Sequence, residues 1–165
     1  MLTLITVPHP ILETPARELS LDEINSPSIQ KLIDDMIPTM YHSEGIGLAA
    51  PQINESVRIC IIGKNAVQLD RKTTAPHEDL VLINPQWTKN STKTNNDQEG
   101  CLSIPGLYGT VRRYSDIHVE ALDRHGNKIS FDAKKFFARV IQHEVDHLNG
   151  ILFTTKAKDI QKVTK

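Results

Sequence analysis

Apolar residues fall into a few bounded patterns along the chain. In SPSIQKLIDDMIPTMYHSEG, residues Ile29, Leu32, Ile33, Met36 and Met40 recur at helical spacing and make one apolar stripe. Ser26 followed by Pro27 marks the helix start, a capping hydroxyl before a residue that suits the first turn. Pro38 lies inside the stripe and is expected to kink it. VRICIIG (57–63) and LVLIN (80–84) are short apolar runs, read as buried strands divided by the polar loop KNAVQLDRKTTAPHED. DIHVEALDRHGNKISFDA reads as a hairpin with Arg124, His125, Gly126 and Asn127 at its turn. The last strong element, AKKFFARVIQHEVDHLNG, is a second helix, with Asp132 as its cap and Gly150 where a glycine ends helices. Between these, GIGLAAPQ (45–52) is too rich in glycine and small residues for an ordinary helix or strand. The strand segments follow one another without intervening helices, so an α+β fold with antiparallel sheets is expected rather than repeated βαβ units.

Composition narrows the setting. With 165 residues the chain is expected to form a single domain over 1–165. Its 19 Lys+Arg against 20 Asp+Glu lack the basic excess of nucleic-acid or membrane-surface binders, so no DNA and no membrane partner is expected. Aromatic residues at 5% argue against a base-stacking platform. Two cysteines, Cys60 and Cys101, are too few for a disulfide scaffold. The opening MLTLITVPHPILETPAREL lacks the layout of a signal or transit peptide. No apolar run approaches the roughly 18 residues that cross a bilayer. A soluble, cytoplasmic protein is the expectation.

The candidate chemistry sits on the second helix. Phe136, Val140, His143 and His147 step by four, three and four, so they share the face a helix should bury. A single histidine there is ordinarily a hydrogen-bonded core residue. Two at this spacing have Cβ atoms about 5–6 Å apart and can converge on one ion. Glu144 lies roughly 100° round the helix from His143, placed for a metal-held water rather than for the same ligand pair. A catalytic tetrahedral site takes three protein ligands and keeps one position open. The longer metalloprotease pattern would put its third histidine where Phe153 stands. Beyond His147 no His, Glu or Cys follows, so the third ligand must come from upstream. Cys60, flanked by Ile59 and Ile61, reads as a small buried strand residue. Cys101, in the polar and Gly/Pro-punctuated NNDQEGCLSIPG, has no apolar period to explain burial. A dication would hold it as thiolate. Cys101, His143 and His147 therefore make a three-ligand set.

Three motifs in this order, GIGLAAPQ (45–52), EGCLS (99–103) and QHEVDH (142–147), resemble the defining motifs of the peptide deformylases, and the likeness extends from the N-terminal helix to Phe153. The resemblance implies antiparallel sheets packed around a central C-terminal helix carrying HEVDH, with an N-terminal helix on the outside. It implies a hydrolase that removes the formyl group from the formyl-methionine terminus of newly synthesised polypeptides. Metal-bound water would attack the formyl carbon, with Glu144 as general base and then general acid. Gln52, through its side-chain amide, and Leu102, through its backbone N–H, would donate to the developing oxyanion. Taken without the motifs, Gln52 could equally be a polar loop residue. An extended peptide could pair with backbone near Ile46, Gly47 and Gly100. Family matching surrounds the methionine side chain with Ile46, Phe136, Val140 and His143, although plain core packing explains Phe136 and Val140 as well. Family members commonly use Fe2+ and often carry Zn2+ or Ni2+ when isolated; thiolate and imidazole suit Co2+ too. A metal-binding paralogue without turnover is the alternative, and the presence of both Glu144 and Gln52 favours the enzyme.

Three features depart from common bacterial members. Arg139 stands at a helix position that is apolar in some, and Tyr108 where some carry Arg near the entrance. After Phe153 only TTKAKDIQKVTK remains, without the long helix that docks many members on the ribosome. Its four lysines against one aspartate would allow weak ribosome association, but a loose, solvated tail over 156–165 is the expectation.

Overall fold

A computed structural model of the chain describes residues 1–164. A 3₁₀ turn (Pro10–Glu13) and the one-turn helix α1 (Leu21–Ile24) lead into helix α2 (Pro27–His42). Strand β1 (Gly47–Ala49), a 3₁₀ turn (Ala50–Ile53), β2 (Ile59–Ile62), the short helix α3 (Lys64–Val67) and β3 (Leu80–Lys89) follow. Then come β4 (Thr94–Cys101), β5 (Ile104–Tyr114), β6 (Asp116–Leu122), β7 (Lys128–Lys134), helix α4 (Lys135–Leu148), a 3₁₀ turn (Phe153–Thr155) and β8 (Lys158–Lys162). The strands form two antiparallel sheets, one in the order β1-β2-β3-β6-β7 and one in the order β4-β5-β8. Among the described residues no helix is long and apolar enough to cross a membrane.

The unbroken apolar runs are strands buried on both faces. In β2, Cys60 and Ile62 join the core shared with α4, while Ile59 and Ile61 point to the opposite core, shared with α2. β3 repeats this, with Leu80 and Leu82 on the α4 side and Val81 and Ile83 on the α2 side. Side chains alternate across a strand, so a sheet covered on both faces needs apolar residues at every position. In β6 the period of two returns: Ile117, Val119 and Ala121 face the α4 core and polar residues separate them. Cys60 is thus a packed core residue whose burial raises its thiol pKa well above the usual value, which leaves it inert.

Helix α2 starts as its sequence suggests. The Ser26 hydroxyl accepts from the Ile29 N–H, Pro27 occupies the first turn, and the helix continues through Pro38. Helix α4 starts differently. Asp132 is not its cap; it lies in β7, and its carboxylate binds His118 and Asn90. The helix instead begins at Lys135, whose N–H donates to the Ser115 carbonyl, so a neighbouring strand end replaces the capping side chain. At the other end Gly150, with φ 73°, takes the left-handed conformation that closes the helix. Between these ends α4 is buried on most of its circumference, including Arg139, Gln142, Glu144, Asp146 and His147. Gln142 ties it to β5, accepting from the Tyr114 N–H and donating to the Tyr114 carbonyl.

Two stretches depart from the sequence expectations. β4, largely polar and exposed, shows no apolar period because it is a sheet edge, yet it delivers Cys101 as its last residue. The tail expected to be loose over 156–165 forms β8 over Lys158–Lys162, paired with β5 at Leu107↔Lys162, Tyr108↔Gln161 and Thr110↔Lys158. All five β8 side chains are exposed, so the strand is held by its backbone ladder and left no apolar signature. Lys165 lies outside the described residues.

Candidate metal centre and its cleft

Cys101 closes β4 where the chain turns tightly into β5, with Cys101 opposite Ile104 and Leu102 and Ser103 at the bend. His143 and His147 lie one helical turn apart on α4, their ring centroids 5.0 Å apart. The three residues, so distant in sequence, each offer one ligand atom, and these atoms all lie within 4.8 Å of one another. Cys101 Sγ is 3.2 Å from His147 Nε2. The His147 Nδ1 is buried and has no hydrogen-bond partner among the described residues. His143 Nδ1 donates to Glu99 Oε1 at 2.8 Å, which leaves Nε2 as its ligand atom. A thiolate with two imidazoles is a donor set for a borderline dication, so the residues fit a divalent metal ion.

The electrostatics favour a cation at this point. Burial would deprotonate His143, but the Cys101 sulfur, the Glu99 carboxylate and the charge of Glu144 outweigh it and hold its pKa up, at about 10. The Glu99 carboxylate that draws a proton to His143 would equally draw a metal ion. Burial drives His147 the other way, well below its usual value, with the positive charges of His143 and Arg113 adding to the effect. His147 is therefore the neutral imidazole that ligation needs.

Glu144 is buried beside this triad. Its Oε2 has no hydrogen-bond partner among the described residues, and burial, reinforced by Glu99 and opposed by His143 and Arg113, pushes its pKa up to about 7. Its carboxylate lies over the α-carbon of Gly47, where an added Cβ would stand 2.5 Å from Oε1. Gly47 is the residue that lets β1 approach α4 this closely. Gln52, also buried, is oriented by its own backbone turn. Its Oε1 accepts from the Ala49 N–H at 2.9 Å, which turns Nε2 toward Ser103 Oγ at 3.2 Å and Cys101 Sγ at 3.6 Å.

A cleft of about 410 Å³ opens in front of these groups, within the range of small-ligand sites. Ile46, Gly47, Gln52, Gly100, Cys101, Leu102, Phe136, Val140, His143 and Glu144, all singled out from sequence, line it together. Of these candidates only His147 lies behind the wall, buried under Cys101. Ile46 is exposed at the rim; Phe136 and Val140 line the cleft and also pack into the α4 core. Tyr108 lays its ring on the α-carbon of Gly100 at the entrance. Phe153, at the position where a third histidine would fall, is buried and stacks on His143 with centroids 6.1 Å apart.

Sequence reading missed the polar scaffold behind the triad. Glu99 accepts both Nε and Nη2 of Arg113 at 2.9 and 2.8 Å, and Nη1 of Arg139 at 2.6 Å. Arg113 Nη1 also reaches Asp146 at 2.6 Å, and Lys156 meets Asp146 from outside at 3.0 Å. Burial alone would raise the Glu99 pKa, but Arg113 and His143 hold it far below the carboxylate range. Glu99 and Asp146 stand inside two of the motifs, and that proximity was the available signal. Nothing in the alternating strand around Arg113 marks it as buried.

Comparison with known proteins supplies an independent line. The polypeptide deformylase family profile matches residues 1–163. A peptide deformylase of Pelotomaculum thermopropionicum is 44% identical over 153 residues, covering 93% of this chain and 89% of the relative. An Acinetobacter baumannii class I type b peptide deformylase, solved with actinonin, superposes with a TM-score of 0.83 at 34% identity, over 95% of this chain and 98% of that one. The same enzyme solved with Met-Ala-Ser gives a TM-score of 0.82 at 33% identity, over 94% and 97%.

Proposed function

Because the chain belongs to the polypeptide deformylase family and is a deformylase enzyme, we propose that it removes the N-formyl group from the formyl-methionine terminus of newly synthesised polypeptides. The observation that carries this reading is the convergence of Cys101, His143 and His147 beside a buried Glu144 at the head of a cleft of about 410 Å³. One divalent ion held by these three residues would supply a water with its pKa brought down to about 7 and a Lewis acid for the formyl oxygen. Fe2+ is the working ion in this reading, with Zn2+, Ni2+ or Co2+ able to occupy the same donors.

The chain's own groups carry the rest. Glu144, with its pKa near 7, takes a proton from the attacking water and returns it to the departing amine. The Gln52 amide, its orientation set by the Ala49 N–H, donates to the charge that builds on the formyl oxygen, and the Leu102 backbone N–H joins it. The peptide lies extended between β1, an edge of the larger sheet, and β4, an edge of the smaller one. Its backbone pairs near Ile46, Gly47 and Gly100. The methionine side chain enters between Ile46 at the rim and Phe136, Val140 and His143 deeper in the cleft. In this reading residues 1–165 form one catalytic domain around α4, and the protein works in the cytoplasm. Exposed lysines of β8 allow weak contact with ribosomal RNA. Unchanged co-sedimentation with ribosomes on deleting 156–165, across a range of salt, would remove that last point.

The test is release of formate from formyl-Met-Ala-Ser under anaerobic Fe2+ loading. Wild type should turn over, and Glu144→Ala should keep its metal and lose activity. Absence of release by metal-loaded wild type would defeat the substrate reading. Equal rates would defeat the role of Glu144.

A further inference from the structure

We propose that Arg139 is a positioning residue for the metal centre, acting through Glu99 on His143; this rests on the metal-site reading. The observation is an unusual concentration of committed donors. Arg139 is buried on α4, one turn before His143, and its guanidinium spans from the helix to both strands of the neighbouring hairpin. Nη1 donates to Glu99 Oε2 at 2.6 Å and to the Val111 carbonyl at 2.8 Å. Nη2 donates to the Asn95 carbonyl at 3.0 Å and to Asn95 Oδ1 at 2.6 Å. One side chain thus pins β4, β5 and α4 together at the level of the triad.

The division of labour at Glu99 gives this a chemical meaning. Its Oε1 accepts His143 Nδ1, while its Oε2 is held by Arg139 and by Arg113 Nε. A carboxylate that fixes the Nδ1–H of a ligand histidine sets both the tautomer and the ring orientation. It can do so only if its own plane is fixed. Arg113 grips Glu99 from one side, and its remaining Nη1 is spent on Asp146. Arg139 grips the far oxygen and anchors it to the β4 and β5 backbone. Cys101 leaves the same strand two residues after Glu99, so the fork that aims His143 also holds the strand that presents the thiol. Ordinary core packing asks for none of this specificity, since an apolar residue of similar volume would fill the space without buried charge.

Charge and positioning predict opposite signs. A guanidinium near a cation site repels the ion, so its loss as a pure charge should tighten metal binding. Loss of a positioning residue should weaken it. The experiment measures Co2+ affinity by chelator competition, together with the Co2+ d–d spectrum, for wild type, Arg139→Met, Arg139→Lys and Asn95→Ala. Arg139→Met keeps the apolar stem in the cleft wall and is expected to weaken Co2+ binding about 10-fold, the lower end of the effect of losing a supporting contact, because Arg113 still holds Glu99. Arg139→Lys keeps the charge but cannot span Glu99, Val111 and Asn95 at once, so it should weaken binding as well. Asn95→Ala changes an exposed residue that touches no ligand; a smaller loss with the same spectral change is expected, and this variant remains informative if the Arg139 variants fold poorly. Wild-type affinity and spectrum in Arg139→Lys and Asn95→Ala, or tighter binding by Arg139→Met, overturns the proposal. So does a lowered unfolding temperature with unchanged affinity in the folded protein, which would make Arg139 a packing residue. None of these readouts depends on the formylated substrate, so they stand apart from the test of the reaction.

Discussion

Replacing Gly47 by alanine should disable the reaction while leaving every ligand and every proton-handling group chemically intact. The added Cβ would stand 2.5 Å from Glu144 Oε1 and 2.9 Å from both Cδ and Cγ. Ordinary contact begins at 3.4 Å, so the carboxylate must retreat by about 0.9 Å. Strand β1 has little freedom to move instead: it is buried, it pairs with β2 at Gly47↔Ile62, and the Ile46 carbonyl accepts the Gly63 N–H at 2.9 Å. The whole Glu144 side chain has to shift. A displacement near 1 Å at a reacting group costs on the order of 10²-fold in rate, about 2.7 kcal/mol of barrier. The assay is kcat/KM for formyl-Met-Ala-Ser with metal content measured on the same samples. Metal content should stay at the wild-type level, because the three atoms nearest the added Cβ all belong to Glu144. The decisive comparison is a double-mutant cycle with Glu144→Gln, which retains the shape but removes the proton acceptor. Gly47→Ala should then cost little on top of Glu144→Gln. If Gly47→Ala retained wild-type kcat/KM, or if its loss added in full to that of Glu144→Gln, the close approach of β1 and α4 would not be what holds the base in place.

Other outcomes follow from the same geometry. Glu144→Gln alone should lower kcat by about 10²–10⁴-fold while metal content is unchanged, as read by steady-state kinetics and metal analysis. Gln52→Leu removes the oriented amide and should raise the barrier by roughly 2.7–4 kcal/mol with little change in KM; a purely KM effect would make Gln52 a binding residue only. Cys101→Ser should abolish the thiolate-to-metal charge-transfer band of the Co2+ form, and persistence of that band would move the sulfur ligand elsewhere. Arg113→Met leaves Glu99 and Asp146 without their shared guanidinium and should destabilise the fold by about 3–5 kcal/mol in denaturant unfolding, since a buried pair is broken rather than replaced.

The paired-histidine spacing on α4, the start of α2 and the doubly buried strands β2 and β3 were legible because each is a local pattern. Apolar period, capping chemistry and histidine spacing depend on residues within a turn or two of one another. Sequence also singled out Cys101, by finding that the last helix left its coordination set incomplete and that the other cysteine was better explained as core. Only the tertiary structure decided the rest. It brought the end of β4 to the face of α4, turned Gln52 by a bond to the Ala49 N–H, and laid Glu144 on Gly47. It closed the tail onto β5 as a strand. It also buried Arg113 and Arg139 behind the triad, where a charged residue in an exposed-looking strand or helix gives no local sign of its surroundings. The reason is common to all of them. A hydrogen bond between residues dozens of positions apart imposes no period on the sequence between them, and the burial of a charge is set by partners that the rest of the fold delivers.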